Sequence, residues 1–342
     1  MEYWSTGNRG ALMNIMFSIS VVIILAAAAL VGVDLIKLNF LFGILIPYAA
    51  ITIFIVGIIA QVIKWARSPV PFHIPTVAGQ QKSLPWIKSS KLESPSSTLG
   101  VIGRMLLEIL FFRSLFRNTK SELRKGPRLA YGSNKYLWLG AILFHWSFLI
   151  IFLRHFRFFM QPVPSLVLGL QNLDGFLQIG VPILYITDAV ISIALLYLIF
   201  RRIIDSKIRY ISLASDYFPL FLILSIALTG ILMRYFDRVD IVKVKELAIG
   251  IFSFNPAVPE GIGVLFYIHL FLVCTLISYF PFSKLLHMPG IFLSPTRNLA
   301  NNSRMVRHVN PWNRPVMVHS YEEYEDEFRD KMKASGLPVE KE

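Results

Sequence analysis

A single cysteine, Cys274, stands among 342 residues. That scarcity excludes an internal disulfide and a cysteine-ligated cluster on this chain, since each needs several thiols. Inside an apolar run, a lone thiol is expected to pack as a small buried side chain. Charge is scarce as well. Asp, Glu, Lys and Arg make up 16% of the chain, against about 25% in a soluble domain. Acids are the rarer sign, 21 against 34 basic residues, for a net charge of +13. The sequence holds no glycine-rich phosphate loop, no nucleophile–base arrangement and no zinc-type ligand spacing.

What is abundant is apolar sequence, 55% of residues, in several runs longer than the roughly 18 residues that read as a membrane span. Six spans are expected, at about 12–33, 39–63, 136–158, 176–200, 217–235 and 263–286. Lipid offers the backbone no hydrogen-bond partners, so each span must be a helix, and the fold class is an all-α integral membrane protein. The first run ends in AAAAL (26–30), which mimics a small-residue cleavage site. Its apolar stretch is too long for a typical signal h-region, which argues against cleavage.

The positive charge does not mark a nucleic-acid binder, because it crowds at span ends and in one loop. Residues 65–135 carry twelve Lys or Arg, including Arg67, Arg104, Arg113, Arg117 and Lys135, against three acids. The positive-inside tendency puts this loop in the cytoplasm. RRIIDSKIR (201–209) gives the same orientation, and the loop 159–175, without Lys or Arg, suits the outer face. An even span count then leaves both termini cytoplasmic, with the chain in the cell membrane.

Four regions follow: a transmembrane hairpin (1–64), a basic cytoplasmic loop (65–135), a four-helix region (136–287) and a cytoplasmic tail (288–342). The loop opens with SPVPFHIPTVAGQ, whose prolines disfavour helix. It continues with LGVIGRMLLEILFFRSLFR (99–117), apolar with basic residues. That segment suits a helix on the membrane surface, a docking surface for a soluble subunit, or packing on the protein's own inner face. In the tail, Ser320 and Glu323 have capping-box spacing. Tyr324, Phe328 and Met332 follow at helical intervals, so one acidic amphipathic helix is expected.

Histidine is rare, with seven in the chain, yet four lie in the apolar runs. FHWSFLIIFLRHF (144–156) carries His145 and His155, and IHLFLVCTLISYFPFSKLLH (268–287) carries His269 and His287. Histidine within a span is costly and commonly functional. A single one reads most simply as an interhelical hydrogen bond; four on two spans ask for more. The two spans run in opposite directions, so His145 should face His287 and His155 should face His269. Two imidazole pairs at two depths suit two bis-histidine haems. The spacing is not effortless: ten residues rise about 15 Å and eighteen about 27 Å, and ten leave a rotational offset of about 80°. Helix tilt and a kink at Pro281 could reconcile them. On spacing alone, proton relay or hydrogen bonding in a haem-free transporter or scaffold stays open.

The two histidine spacings on antiparallel spans resemble the cytochrome b subunit of respiratory nitrate reductase, the gamma-type fold. The leading hairpin, the basic loop and the NPWNRP stretch (310–315) resemble more closely the DsrM/HmeC family. These are the cytochrome b subunits of DsrMKJOP complexes, called Hdr-like menaquinol oxidoreductase in an archaeal relative. The resemblance implies a four-helix diheme bundle with His145, His155, His269 and His287 as axial ligands of two haem b groups. It implies menaquinol oxidation and electron delivery to a cytoplasmic iron–sulfur subunit like DsrK or HmeD, related to heterodisulfide reductase. Further subunits like DsrJ, DsrO and DsrP are implied, in anaerobic sulfur or sulfate respiration. A cytochrome b anchor for a hydrogenase or formate dehydrogenase is the neighbouring alternative.

Other candidates are less specific. Asp188 is expected in mid-span, where an ionised acid is expensive, as an orienting partner of a ligand histidine, a proton carrier, or a protonated or hydrogen-bonded structural acid. Arg154, Arg157 and Arg234 could pair with haem propionates or simply reach the outer interface. Tyr185, Tyr235 and Gln178 could line a quinone pocket or serve as ordinary interfacial anchors. His73, His308 and His319 sit in polar segments and read as solvent-exposed. A cysteine introduced within 82–96 is expected to react with an impermeant thiol reagent only from the cytoplasmic side. Labelling from outside intact cells would invert the orientation.

Overall fold

Long apolar runs become long helices in the computed structural model, which describes residues 2–69, 79–124, 126, 128–176, 182–306, 315 and 317–341. Helix α1 (Glu2–Leu30) runs into a π-helical turn, Val31–Leu35, and a second such turn, Leu41–Leu45, leads into α2 (Ile46–Ala66). Pro47 sits in the first turn of α2, where its missing N–H costs nothing. In the basic loop, α3 (Thr98–Phe111) starts on Ser97, whose hydroxyl accepts the Gly100 N–H, and stops at Phe112, φ 49° and ψ 47°. A short α4 (Arg113–Arg117) follows, then an antiparallel hairpin of β1 (Thr119–Arg124) and β2 (Arg128–Ser133), paired from Thr119↔Ser133 to Arg124↔Arg128.

The remaining helices are α5 (Lys135–His155), α6 (Ser165–Asp174), α7 (Ile186–Ile204), α8 (Ser206–Ile211), α9 (Ala214–Tyr235), α10 (Ile241–Phe252), α11 (Val264–Tyr279), α12 (His287–Leu293) and α13 (Tyr321–Ala334). Among the described residues, five helical stretches are long and apolar enough to cross a membrane: 10–35, 41–66, 135–158, 214–235 and 264–282. The sixth expected span, 176–200, corresponds to α7. That helix begins ten residues later than expected and carries Asp188 in its first turn and Arg201 and Arg202 in its last. Asp188 therefore lies at a helix start, not in mid-span. The all-α expectation gives way in the basic loop to the β-hairpin, and the expected helix 99–117 breaks at Phe112. Pro281 does not kink a helix. The α11 helix ends at Tyr279, and two 3-10 turns, Phe280–Phe282 and Lys284–Leu286, carry the chain to His287.

Packing runs in a row, α5 on α7, α7 on α9 and α9 on α11, with α1 against α9 and α11 and α2 against α11. Ile191, Leu195 and Ile223 fill the space between α7 and α9, with Phe144 and Leu276 on their flanks. Val22, Leu222 and Leu272 join α1, α9 and α11. Close approach depends on small residues. A Cβ at Gly140 would lie 2.5 Å from the Tyr197 ring, and one at Gly57 would lie 2.6 Å from Pro281. The bundle has a basic end, with α3, α4, α8 and α12, and a far end, with α6 and α10.

The basic end is folded over by a polar core that joins two distant segments. Arg104, 5% exposed, donates to the carbonyls of Glu93, Thr296, Arg297 and Leu299. Burial, then the charge of Arg297, pushes its pKa down, with Glu108 opposing. Asn301 donates its N–H to the Pro95 carbonyl at 2.7 Å and its amide to the Ser94 hydroxyl at 3.1 Å. Glu93 pairs with Arg113 and Arg117. The 99–117 segment thus packs on the chain itself through Arg104, while Leu99, Ile102, Leu106 and Phe111 of α3 remain exposed.

Helix α13 opens with the Ser320–Glu323 capping box, and the Tyr324 and Phe328 rings lie 4.9 Å apart, tilted at 45°. Of its apolar stripe, Met332 is buried and Tyr324 remains about half exposed. The buried acid here is Glu325. Its carboxylate accepts the backbone N–H groups of Glu340 and Lys341, each at 2.8 Å, and the Arg329 guanidinium. The Glu340 N–H first, then those of Lys341 and Arg329, hold its pKa below the ordinary glutamate value against the opposing effect of burial. A carboxylate lowered in the folded state contributes stability that is full above its unfolded pKa, about 4.3. That stability is lost as pH falls through the lower folded value. Hydrogen exchange at Glu340 and Lys341, corrected for intrinsic rates, is expected to accelerate across that acid window. In Glu325→Gln the acid dependence should disappear.

Candidate functional site: two facing imidazole pairs

Each of the four apolar-run histidines has its Nδ1 occupied. On α5, His145 Nδ1 lies 2.7 Å from the Ala141 carbonyl, and His155 Nδ1 lies 2.7 Å from the Ile151 carbonyl. His287 opens α12 with Nδ1 2.9 Å from the Lys284 carbonyl, which the 3-10 turn presents. His269, on α11, instead meets the Thr229 hydroxyl of α9 at 2.9 Å. A carbonyl can only accept, so Nδ1 carries the proton and Nε2 is left with a free lone pair.

The rings then face each other in pairs. His145 and His287 have ring centres 6.0 Å apart with planes at 83°. His155 and His269 are 6.5 Å apart and nearly parallel, at 7°. Two imidazoles on opposite sides of one metal ion, each bonded at about 2 Å, have ring centres roughly 6 Å apart. Both pairs fit that separation. Among the described residues, no group of three or more His, Cys, Asp or Glu could hold a metal ion. A facing pair of imidazoles is the axial donor set that a bis-imidazole haem uses. The pairs lie between α5 and the α11–α12 segment, the two ends of the packed row.

Aromatic rings flank the basic-end pair. Phe112 and Phe144 meet His145 edge-on at 5.0 and 4.9 Å. The left-handed turn at Phe112 is fixed by two α5 indoles, Trp138 donating to the Phe111 carbonyl and Trp146 to the Leu110 carbonyl. These satisfy carbonyls that a helix end leaves without partners.

At the far end, a buried ionic cluster lies next to His155. Arg154, 8% exposed, pairs with Asp174 at 2.8 Å and Asp188 at 3.1 Å. Tyr235 donates its hydroxyl to Asp188 at 2.8 Å and accepts the Tyr185 N–H at 3.0 Å. Asp174 accepts the N–H and hydroxyl of Thr187, capping the start of α7. The Arg154 and Arg234 guanidiniums sandwich the Tyr185 ring at 3.7 and 3.9 Å. Two arginines and two aspartates balance in charge, as burial requires.

Of the expected propionate partners, Arg154 is thus committed to this chain's own carboxylates. Arg157 donates to Gln171 at 2.9 Å, and Arg234 donates to the Ile183 carbonyl. The Nε atoms of Arg154 and Arg234 are buried without a hydrogen-bond partner. Asp188 and Tyr235, expected separately, meet in one hydrogen bond, and Tyr185 joins them. Gln178, His73, His308 and most of NPWNRP lie outside the described residues. Asp174 and Thr229 went unanticipated. Asp174 had a signal, as the sole charged residue of 159–175; Thr229 had none.

Residues 126–309, which contain all four histidines, match the family described as nitrate reductase gamma subunit. A relative from Archaeoglobus fulgidus, described as an Hdr-like menaquinol oxidoreductase cytochrome b-like subunit, is 45% identical over 279 residues, 80% of this chain and 83% of its own. A protein of the same description from Archaeoglobus profundus is 43% identical over 274 residues, 78% of this chain and 81% of its own.

Proposed function

Because the chain belongs to the nitrate reductase gamma subunit family, alongside the Hdr-like menaquinol oxidoreductase cytochrome b-like subunits, we propose that it is a membrane diheme cytochrome b oxidising menaquinol. The observation that carries this reading is the pair of facing imidazoles at each of two depths, 6.0 and 6.5 Å between ring centres. In this reading His145 and His287 are axial ligands of one haem b, and His155 and His269 of the other. The haems supply one-electron transfer across the membrane; the protein supplies ligands, electrostatics and proton exit.

The basic end is assigned to the cytoplasm on the positive-inside tendency, which makes α7 the sixth span and puts both termini inside. The electron acceptor is then a DsrK/HmeD-like iron–sulfur subunit docked on the α3–α4 cap and the tail. DsrJ-, DsrO- and DsrP-like proteins complete the complex in anaerobic sulfur or sulfate respiration. The four regions, 1–64, 65–135, 136–287 and 288–342, are hairpin, cap, diheme bundle and docking tail.

Oxidising a quinol also releases its hydroxyl protons, and each needs an acceptor. Asp188 Oδ2, reached through the Tyr235 hydroxyl at 2.8 Å, is the acceptor of one of the two protons in this reading and passes it on before the next arrives. Arg154 donates to the other carboxylate oxygen, Oδ1, at 3.1 Å and so fixes the orientation of the group.

The purified chain is expected to show b-type bands in a reduced-minus-oxidised spectrum and to be reduced by a menaquinol analogue. Absence of those bands sinks the cytochrome reading, and co-purification of a hydrogenase or formate dehydrogenase would replace the partner. His155→Ala and His269→Ala should perturb the same haem and leave the other bis-histidine; His145→Ala and His287→Ala should likewise share a spectrum. A match between His145→Ala and His269→Ala would refute the pairing.

Asp188→Asn should retain both haems while quinol oxidation slows by roughly 100-fold, the scale of a lost general base. Turnover at the wild-type rate would return Asp188 to a structural role.

A further inference from the structure

Three of the four imidazoles are oriented by main-chain carbonyls, and one is oriented by a side chain. We propose that Thr229 is a positioning residue for His269 alone. Its hydroxyl oxygen accepts the Nδ1–H of that imidazole, so that this side chain sets the tautomer and donor strength of one ligand of the far pair. The proposal rests on the diheme reading above and adds to it a means by which one haem is tuned apart from the other.

The direction of the hydrogen bond follows from the surroundings of the hydroxyl. Thr229 Oγ1 lies 2.8 Å from the Ser225 carbonyl and 3.0 Å from the Ile226 carbonyl, both on its own helix. Those oxygens are acceptors only, so they take the single hydroxyl hydrogen, the usual back-bond of threonine within a helix. The lone pairs of Oγ1 are then left for His269 Nδ1 at 2.9 Å, which must be the donor. A protonated Nδ1 leaves Nε2 bare, and the ring stands parallel to His155 with 7° between planes. The neighbouring residue permits this approach. A Cβ at Gly230 would lie 3.4 Å from His269 Cε1, in contact with the ring. Threonine followed by glycine thus leaves room for the imidazole and offers it a hydroxyl acceptor, beside the Ile226 carbonyl of the same helix.

A hydrogen bond from the remote nitrogen of a ligand imidazole fixes the ring and raises its basicity. A more basic ligand favours the ferric state and lowers the reduction potential. Removing the acceptor should raise it. At the other three ligands no side-chain substitution removes the acceptor, because it is the backbone of Ala141, Ile151 or Lys284. Thr229 is the one point where sequence change can retune a ligand without replacing it.

The test is a redox titration of the purified haem-loaded protein, followed by optical and low-temperature EPR spectra. The variants are Thr229→Val, which keeps shape and loses the hydroxyl, Thr229→Ala, which loses it without a methyl against the ring, and Thr229→Ser, which keeps it. His145→Ala and His155→Ala assign the two sets of signals. In Thr229→Val and Thr229→Ala, the midpoint of the His155–His269 haem should shift upward and its low-spin g values should move. Loss of that haem alone also supports the assignment. The His145–His287 haem should be unchanged, and Thr229→Ser should track the wild type. The proposal is overturned if neither haem moves, if both move together, if Thr229→Ser shifts as far as Thr229→Val, or if neither hydroxyl-free variant accumulates while Thr229→Ser does so with wild-type signals for neither haem. A wild-type chain lacking two bis-histidine haems would defeat the diheme reading itself. Two such haems unaffected by Thr229 would defeat only this inference.

Discussion

An imidazole placed in a medium that cannot hydrogen-bond must have its N–H satisfied by protein. That requirement organises the centre of this structure. On α5 the solution is local, with the carbonyl one turn back serving each histidine. On the opposite side it is not. His269 needs a hydroxyl from α9, and His287 needs a carbonyl from a 3-10 turn that exists because α11 ends at Tyr279. The Lys284 side chain of that turn is tied to Asp216 at 2.6 Å. Helix α9 therefore reaches both histidines of the α11–α12 side, directly near one end and through an ion pair near the other.

Polar material is concentrated at the two ends, balanced in charge at the far end and satisfied largely by main-chain carbonyls at the basic end. The far end gathers Arg154, Arg234, Asp174 and Asp188 around Tyr185. The basic end gathers Arg104, Glu93, Arg113, Arg117 and Asn301 around main-chain carbonyls. Between them the helices meet through Ile, Leu, Phe and small residues. Losing Asp174 from the far-end cluster leaves the buried Arg154 charge short of a partner, which costs far more than the pair contributes when intact.

Legibility followed the physics of each signal. The apolar runs announced themselves because a lipid-facing helix must be apolar throughout, and five of the six expected spans have matching long helices. The start of α7 was misjudged because residues 176–185 are nearly as apolar as a helix interior. Position Asp188 in the first turn instead of mid-span, and its neighbours become Tyr235 and Arg154 rather than lipid. The four histidines were conspicuous by rarity, and which face which could be read from span direction. The 80° mismatch between their spacings was not resolved by a kinked helix but by ending the helix. Arg104 and Thr229 were invisible because their roles depend on partners far along the chain, carbonyls in one case and an imidazole in the other. Neither residue type is unusual where it stands.

Arg104 reaches carbonyls that lie 192, 193 and 195 residues further along the chain. During synthesis the α3 segment thus appears long before anything it closes upon. Its buried guanidinium has most of its acceptors only after residues 296–299 emerge, beyond the last long apolar helix and beyond His287. The same late segment that completes the imidazole pair at the basic end also completes the cap above it. Closure of that end is consequently a terminal event in biogenesis, and a chain truncated before residue 296 would lack both the latch and the order of assembly it imposes.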